Sequence, residues 1–115
     1  MSVTLYHSPR CSKSREALEL LRKRGIEPRV IEYLKTPPSA AEIGALLKLL
    51  GKRPRDIIRT KEAVYKEAGL DDPKKSDAAV IALIAKHPIL LERPIAVAGK
   101  KAVIGRPPED VLKIV

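Results

Sequence analysis

The sequence predicts an α/β fold, a mixed four-stranded sheet flanked by helices, with an all-helical insertion between a βαβ half and a ββα half. Two observations predict it. The chain opens with a short β-branched run, a helical run and a second β-branched run, and it closes with two short apolar runs split by Gly99-Lys100 and followed by helical punctuation. Between those ends, over residues 39–88, the signals are those of helices, caps and turns.

Val3-Thr4-Leu5-Tyr6 has the β-branched and aromatic composition of a strand. His7-Ser8-Pro9-Arg10 is a turn, and from Ser12 the pattern becomes helical, with Ala17, Leu18 and Leu21 forming an apolar stripe that stops at Gly25. Arg29 to Leu34 reads as the second strand, and a right-handed crossover makes it parallel to the first. After Thr36-Pro37-Pro38, Ser39-Ala40-Ala41-Glu42 has the spacing of a capping box and opens a helix that runs to Leu50 and ends at Gly51. Short helical pieces are expected around Arg55–Ile58 and from Lys61 to Ala68. Ser76 caps a helix over Asp77–Lys86, apolar nearly all round and therefore expected to be buried on most sides. Pro88 ends it, which makes His87 a helix-end residue. Ile95–Ala98 and Lys101–Ile104 form a hairpin with glycine at the first central position, as a type II′ turn requires. A final helix follows Pro108, with Glu109 and Asp110 in its first turn and Lys113 in its last, complementing the helix dipole. A parallel pair, then a hairpin and a closing helix, is the thioredoxin-like arrangement.

A chain of 115 residues fits one domain, 1–115, with the volume for an unstapled core, and the absence of Trp and Phe makes that core aliphatic. One cysteine excludes an internal disulfide framework. No basic segment followed by an apolar one opens the chain and no run approaches the length of a membrane span. A cytoplasmic protein with no membrane partner and a reduced thiol is therefore expected. The net charge of +9 invites a nucleic-acid partner. Against that, the only aromatic residues are Tyr6, Tyr33 and Tyr65, and the charge is scattered apart from Arg22-Lys23-Arg24 and Lys52-Arg53-Pro54-Arg55. The reading is a solvated basic face and no nucleic acid. One Cys and two His at unrelated positions give no metal site, and there is no phosphate-binding glycine loop.

Chemistry concentrates at Cys11. It sits where the first strand hands over to the first helix, facing unpaired backbone N–H groups and the positive end of the helix dipole. Arg10, Lys13 and Arg15 lie within about one turn of it, and His7 is on the turn that presents it. These features favour a reactive thiolate over a small buried hydrophobe.

His7-Ser8-Pro9-Arg10-Cys11-Ser12-Lys13-Ser14-Arg15, Tyr33-Leu34-Lys35-Thr36-Pro37-Pro38-Ser39, Ile57-Ile58-Arg59, His87-Pro88-Ile89-Leu90-Leu91-Glu92-Arg93-Pro94-Ile95 and Gly105-Arg106-Pro107 follow one another in an order and spacing that resembles the glutaredoxin-coupled arsenate reductases. The resemblance implies a thioredoxin-like fold and reduction of arsenate to arsenite. It implies Cys11 as the nucleophile, His7 and Ser14 as supports of the thiolate, and Arg59, Arg93 and Arg106 as the anion-binding arginines. It also implies Pro94 as the cis-proline that such folds carry before the third strand, although only about 5–6% of X–Pro bonds are cis. Arg10 and Ser12 depart from the family, whose members often have a smaller residue before the cysteine and glycine after it.

A thiolate that attacks an oxidised centre forms a covalent adduct, and resolving it needs a second thiol. The chain has none. The resemblance points to glutathione as co-substrate and glutaredoxin as the protein partner, with no tightly bound cofactor. Two other readings remain. Cys11-Ser12-Lys13-Ser14 has the C-x-x-S pattern of a monothiol glutaredoxin-like thiol-disulfide oxidoreductase, and related thioredoxin folds include transcription regulators that are not enzymes. A phosphatase-type Cys-x₅-Arg loop is absent, because Ala17 stands six residues after Cys11.

Overall fold

The structure, a computed structural model, describes residues 2–115. Its contacts gather into two compact units, one of residues up to Thr36 with Arg93–Val115, the other of Pro37–Glu92. The helical stretch expected at 39–88 falls inside the second.

The first unit holds a four-stranded mixed sheet in the order β2-β1-β3-β4, with β1 Val3–His7, β2 Arg29–Glu32, β3 Ile95–Ala98 and β4 Lys101–Ile104. β1 runs parallel to β2 and antiparallel to β3, and β3 runs antiparallel to β4. Alternation along β1 buries Val3, Leu5 and His7 on one face. Register places Val3 opposite Ala98 and Leu5 opposite Ala96, so β3 presents small residues to that face. Helix α1, Ser12–Lys23, covers it with Ala17 and Leu21, and Val111 from the C-terminal segment completes the cluster. Gly99 at φ +60, with no positive φ at any described non-glycine residue, gives the hairpin its type II′ pattern.

The second unit holds α2 Ala40–Leu50, α3 Ala63–Glu67 and α4 Asp77–Lys86, with 3₁₀ turns at Pro54–Ile57 and Pro88–Leu90. The capping box forms as read: Ser39 Oγ accepts from the N–H of Glu42 and the Glu42 carboxylate accepts from the N–H of Ser39, each at 3.1 Å. An isolated antiparallel bridge pairs Ile58 with Leu91, closed by Arg59 N–H to Leu90 O and Glu92 N–H to Ile57 O, both 2.8 Å.

Two expectations are corrected. α4 buries only Val80 and Ile84, while Ala78 and Ala82 are exposed. Alanine is the best helix former and has little apolar area to hide, so a run of alanines reflects propensity rather than burial. The closing helix is a 3₁₀ segment over Pro108–Ile114. Pro108, Val111 and Ile114 recur every third position, the spacing that puts them on one face of a 3₁₀ helix, and Leu112 beside Val111 also packs against the core. Among the described residues no helix is long and apolar enough to cross a membrane.

Candidate active site

β1 ends at His7, and the chain turns through Ser8-Pro9-Arg10 to Cys11, whose N–H donates to the Ser8 carbonyl at 3.0 Å. Arg15 clasps the turn from outside, Nη1 donating to the Pro9 carbonyl at 2.8 Å. Cys11 is the N-cap of α1, with extended dihedrals and its own carbonyl accepting from Arg15 N–H. Its side chain is half-buried and carries a free thiol.

An N-cap side chain faces the N–H groups of the second and third helical residues. Here those are Lys13 and Ser14, and no acidic residue occupies the first turn to oppose a negative sulfur. Burial pushes the Cys11 thiol up, but the N–H of Ser14, the side chain of Arg93 and the N–H of Lys13 outweigh it, so the thiol ionises below its ordinary value. The expected role of nearby cations is thereby corrected. Arg10 and Lys13 are exposed and Arg15 is turned to Pro9, whereas the effective charge comes from Arg93, remote in sequence.

Arg93 and Arg106 flank the open end of the hairpin, where Ile95 pairs with Ile104, and address Cys11 from there. Arg106 Nη2 lies 3.8 Å from Cys11 Sγ, and its Nε donates to the Arg93 carbonyl at 2.8 Å. Arg93 Nη1 donates to the Tyr33 hydroxyl at 3.2 Å. Arg93–Pro94 is cis, and so is Arg106–Pro107. Between these two bonds, Gly105 N–H donates to the Pro94 carbonyl at 2.8 Å, and a Cβ on Gly105 would sit 2.7 Å from Pro94 Cγ.

His7 and Ser14 meet at the base of the turn. Ser14 is fully buried on the α1 stripe that also carries Ala17 and Leu21, and β1's alternation turns His7 to the same side. Ser14 Oγ lies 2.6 Å from His7 Nδ1 and accepts from Ser8 N–H at 3.1 Å. Ser14 therefore addresses the sulfur through its backbone N–H, while its hydroxyl ties the turn to β1. Burial lowers the His7 pKa below 6.5, so the imidazole is neutral at neutral pH.

Arg59 belongs to the second unit, where Nε pairs with Glu62 at 3.1 Å and Nη1 with Glu92 at 3.2 Å. The antiparallel Ile58–Leu91 bridge puts Arg59 and Glu92 on the same face as diagonal neighbours, Arg59 lying opposite Leu90 and Glu92 opposite Ile57. Among the described residues no group of three or more His, Cys, Asp and Glu is placed to hold a metal. Sequence reasoning passed over Tyr33 and Gly105. Tyr33 has a signal in its setting, a tyrosine just after a strand with a hydroxyl to satisfy, but its partner is visible only in three dimensions.

A thiol whose ionisation is favoured by an arginine and a helix N-terminus, with a second arginine 3.8 Å from its sulfur, suits a tetrahedral oxyanion. Known proteins similar in sequence and fold bear on that chemistry. A protein of Escherichia coli K12 named uncharacterized protein YfgD is 54% identical over 114 residues, covering 98% of this chain and 96% of its own. An arsenate reductase of Neisseria meningitidis serogroup B is 47% identical over 110 residues, 95% of this chain and 94% of its own. The solved structure named arsenate reductase from Vibrio cholerae superposes with a TM-score of 0.97 at 52% identity, covering 100% of this chain and 98% of that one. With residues 6–114 also matching the ArsC family description, the chain belongs to the ArsC family.

Proposed function

We propose that this protein is a cytoplasmic arsenate reductase that uses glutathione as co-substrate and glutaredoxin as protein partner, with no tightly bound cofactor. The observation that carries the reading is the approach of Arg106 Nη2 to Cys11 Sγ at 3.8 Å beside a second arginine, Arg93. Guanidinium groups bind tetrahedral oxyanions through directed, charge-assisted N–H···O bonds, and the same positive charge keeps the sulfur ionised. The names of the relatives at 47% identity and of the solved structure at 52% supply the identity of the oxyanion.

In the proposed cycle Arg93, Arg106 and Arg59 bind dihydrogen arsenate. The Cys11 thiolate attacks arsenic, and an arsenate hydroxyl takes a proton from solvent and leaves as water, giving an S–As(V) adduct. Glutathione thiol then attacks the Cys11 sulfur. The S–As bond breaks with its electron pair going to arsenic, which departs as arsenite, and a Cys11–glutathione disulfide remains. Arsenic gains two electrons and each of two sulfurs loses one. A glutaredoxin thiol attacks the glutathione sulfur and returns Cys11 as thiolate. His7 and Ser14 hold the turn that presents the nucleophile. Arg59 contributes to anion binding by exchanging carboxylate partners for arsenate oxygens.

Arsenate-dependent NADPH oxidation with glutathione, glutaredoxin and glutathione reductase tests this, with thioredoxin and its reductase as the parallel arm. Turnover is expected in the first arm, lost in Cys11→Ser and sharply reduced in Arg93→Ala. Turnover by Cys11→Ser, or turnover with thioredoxin alone, would overturn the cycle as written.

A further inference from the structure

Tyr33 follows the last residue of β2, and its side chain is 0% exposed. A buried phenol keeps a polar oxygen away from water, which costs free energy unless that oxygen is hydrogen-bonded. It accepts from Arg93 Nη1 at 3.2 Å. At the other end of Arg93, the carbonyl accepts Arg106 Nε at 2.8 Å, and Arg106 Nη2 lies 3.8 Å from Cys11 Sγ. Arg93 is thus held at both ends, its guanidinium bonded to the Tyr33 hydroxyl and its carbonyl to Arg106, the arginine that lies beside the sulfur.

We propose that Tyr33 is a positioning residue: its hydroxyl fixes the plane of the Arg93 guanidinium and so sets the direction in which Arg93 offers N–H donors to the Cys11 sulfur and to a bound oxyanion. A long side chain anchored only at its backbone samples many rotamers, and selecting one of them on binding weakens the complex. A second anchor at the guanidinium removes that cost in advance. One N–H serves Tyr33, and the planar fork then has a fixed orientation for the others. The proposal rests on the arsenate-reductase reading for the identity of the anion, while the alignment of Arg93 with the sulfur is independent of it.

Tyr33→Phe keeps the ring and its packing and removes the acceptor. On the full-length reduced protein, three quantities are read. They are the pH profile of Cys11 alkylation by iodoacetamide, the concentration of sulfate or arsenate that half-protects Cys11 from alkylation, and kcat and KM for arsenate. Expected for Tyr33→Phe are an alkylation profile moved to higher pH and half-protecting concentrations raised about five- to tenfold. KM should rise by a similar factor with kcat little changed. In an Arg93→Ala background the same substitution should change nothing further, because Tyr33 acts through Arg93. A Tyr33→Phe protein that unfolds earlier yet keeps its alkylation profile and anion protection would overturn the proposal. So would an undiminished effect in the Arg93→Ala background. Absence of arsenate turnover in the wild type would defeat the arsenate reading alone, since the alkylation profile and sulfate protection still decide the role of Tyr33.

Discussion

Arg106 donates through Nε to the carbonyl oxygen of Arg93, so the two arginines that address Cys11 are mounted on one another. Arg106 spends one nitrogen on that carbonyl and another on the sulfur. A lysine has three donors but on one nitrogen, and lacks the planar fork that places Nε at the carbonyl and Nη2 beside the sulfur. Arg106→Lys is therefore expected to lower kcat/KM for arsenate about tenfold or more despite conserving charge, and steady-state kinetics check it.

Cys11 titrates below the ordinary thiol value of 9.0, and the sign of the pH dependence follows. A depressed pKa means that the unfolded chain holds this proton more tightly, so folding gains stability as pH rises. The contribution is complete above about 9.0 and is lost as pH falls through the folded value. The stability difference between the reduced wild type and Cys11→Ser should grow in favour of the wild type across that window and be flat below it. Denaturant unfolding at a series of pH values measures it.

Ser14→Ala removes the hydroxyl that joins His7 to the Ser8 N–H but keeps the backbone N–H that faces the sulfur. Two buried polar groups lose their shared partner. Destabilisation of about 1–3 kcal/mol is expected by chemical denaturation, with a smaller change in the Cys11 alkylation profile than Arg93→Ala produces.

Gly105→Ala would set a methyl 2.7 Å from Pro94 Cγ and 2.9 Å from Val111 Cγ1, inside van der Waals contact on two sides. Overpacking of this kind costs about 1–3 kcal/mol. Thermal unfolding should show the loss, and arsenate turnover should fall with it because Pro94 and Arg93 share a peptide bond.

Arg59 shares its guanidinium between Glu62 and Glu92, all three side chains 23–24% exposed. In the proposed cycle arsenate competes with those carboxylates for the Arg59 donors. Glu62→Gln weakens the competition, and a severalfold lower KM for arsenate is expected, in line with about 0.2–1 kcal/mol for a partly exposed ion pair. An unchanged KM would remove Arg59 from the anion site.

Much of the fold was legible because its signals are local. Ser39 and Glu42 declare a helix start within four residues, Gly99 declares the hairpin turn, and the cysteine's place between strand and helix follows from the change of period around it. What was not legible depends on partners distant in sequence. The exposure of Ala78 and Ala82 depends on how many faces of α4 find a neighbour, which the run Asp77–Lys86 does not encode. Arg59 looks like Arg93 and Arg106 in a basic chain, and only the Ile58–Leu91 bridge brings the Glu92 carboxylate diagonally beside it. Local charge points to Arg10, Lys13 and Arg15, whereas the structure brings to the sulfur Arg93, distant in sequence and bound through Nη1 to the Tyr33 hydroxyl.

The sulfur of Cys11 occupies the cap of α1 and is favoured there as an anion. Joining it to glutathione in the proposed cycle removes that anion and leaves the first turn of the helix without its negative partner. The reduced protein is thus the better-stabilised member of the redox pair, and a disulfide whose reduced form is stabilised is the more oxidising one. Helix α1 consequently supplies part of the driving force that hands electrons back to Cys11, so the same backbone groups that activate the nucleophile also favour its recovery after each turnover.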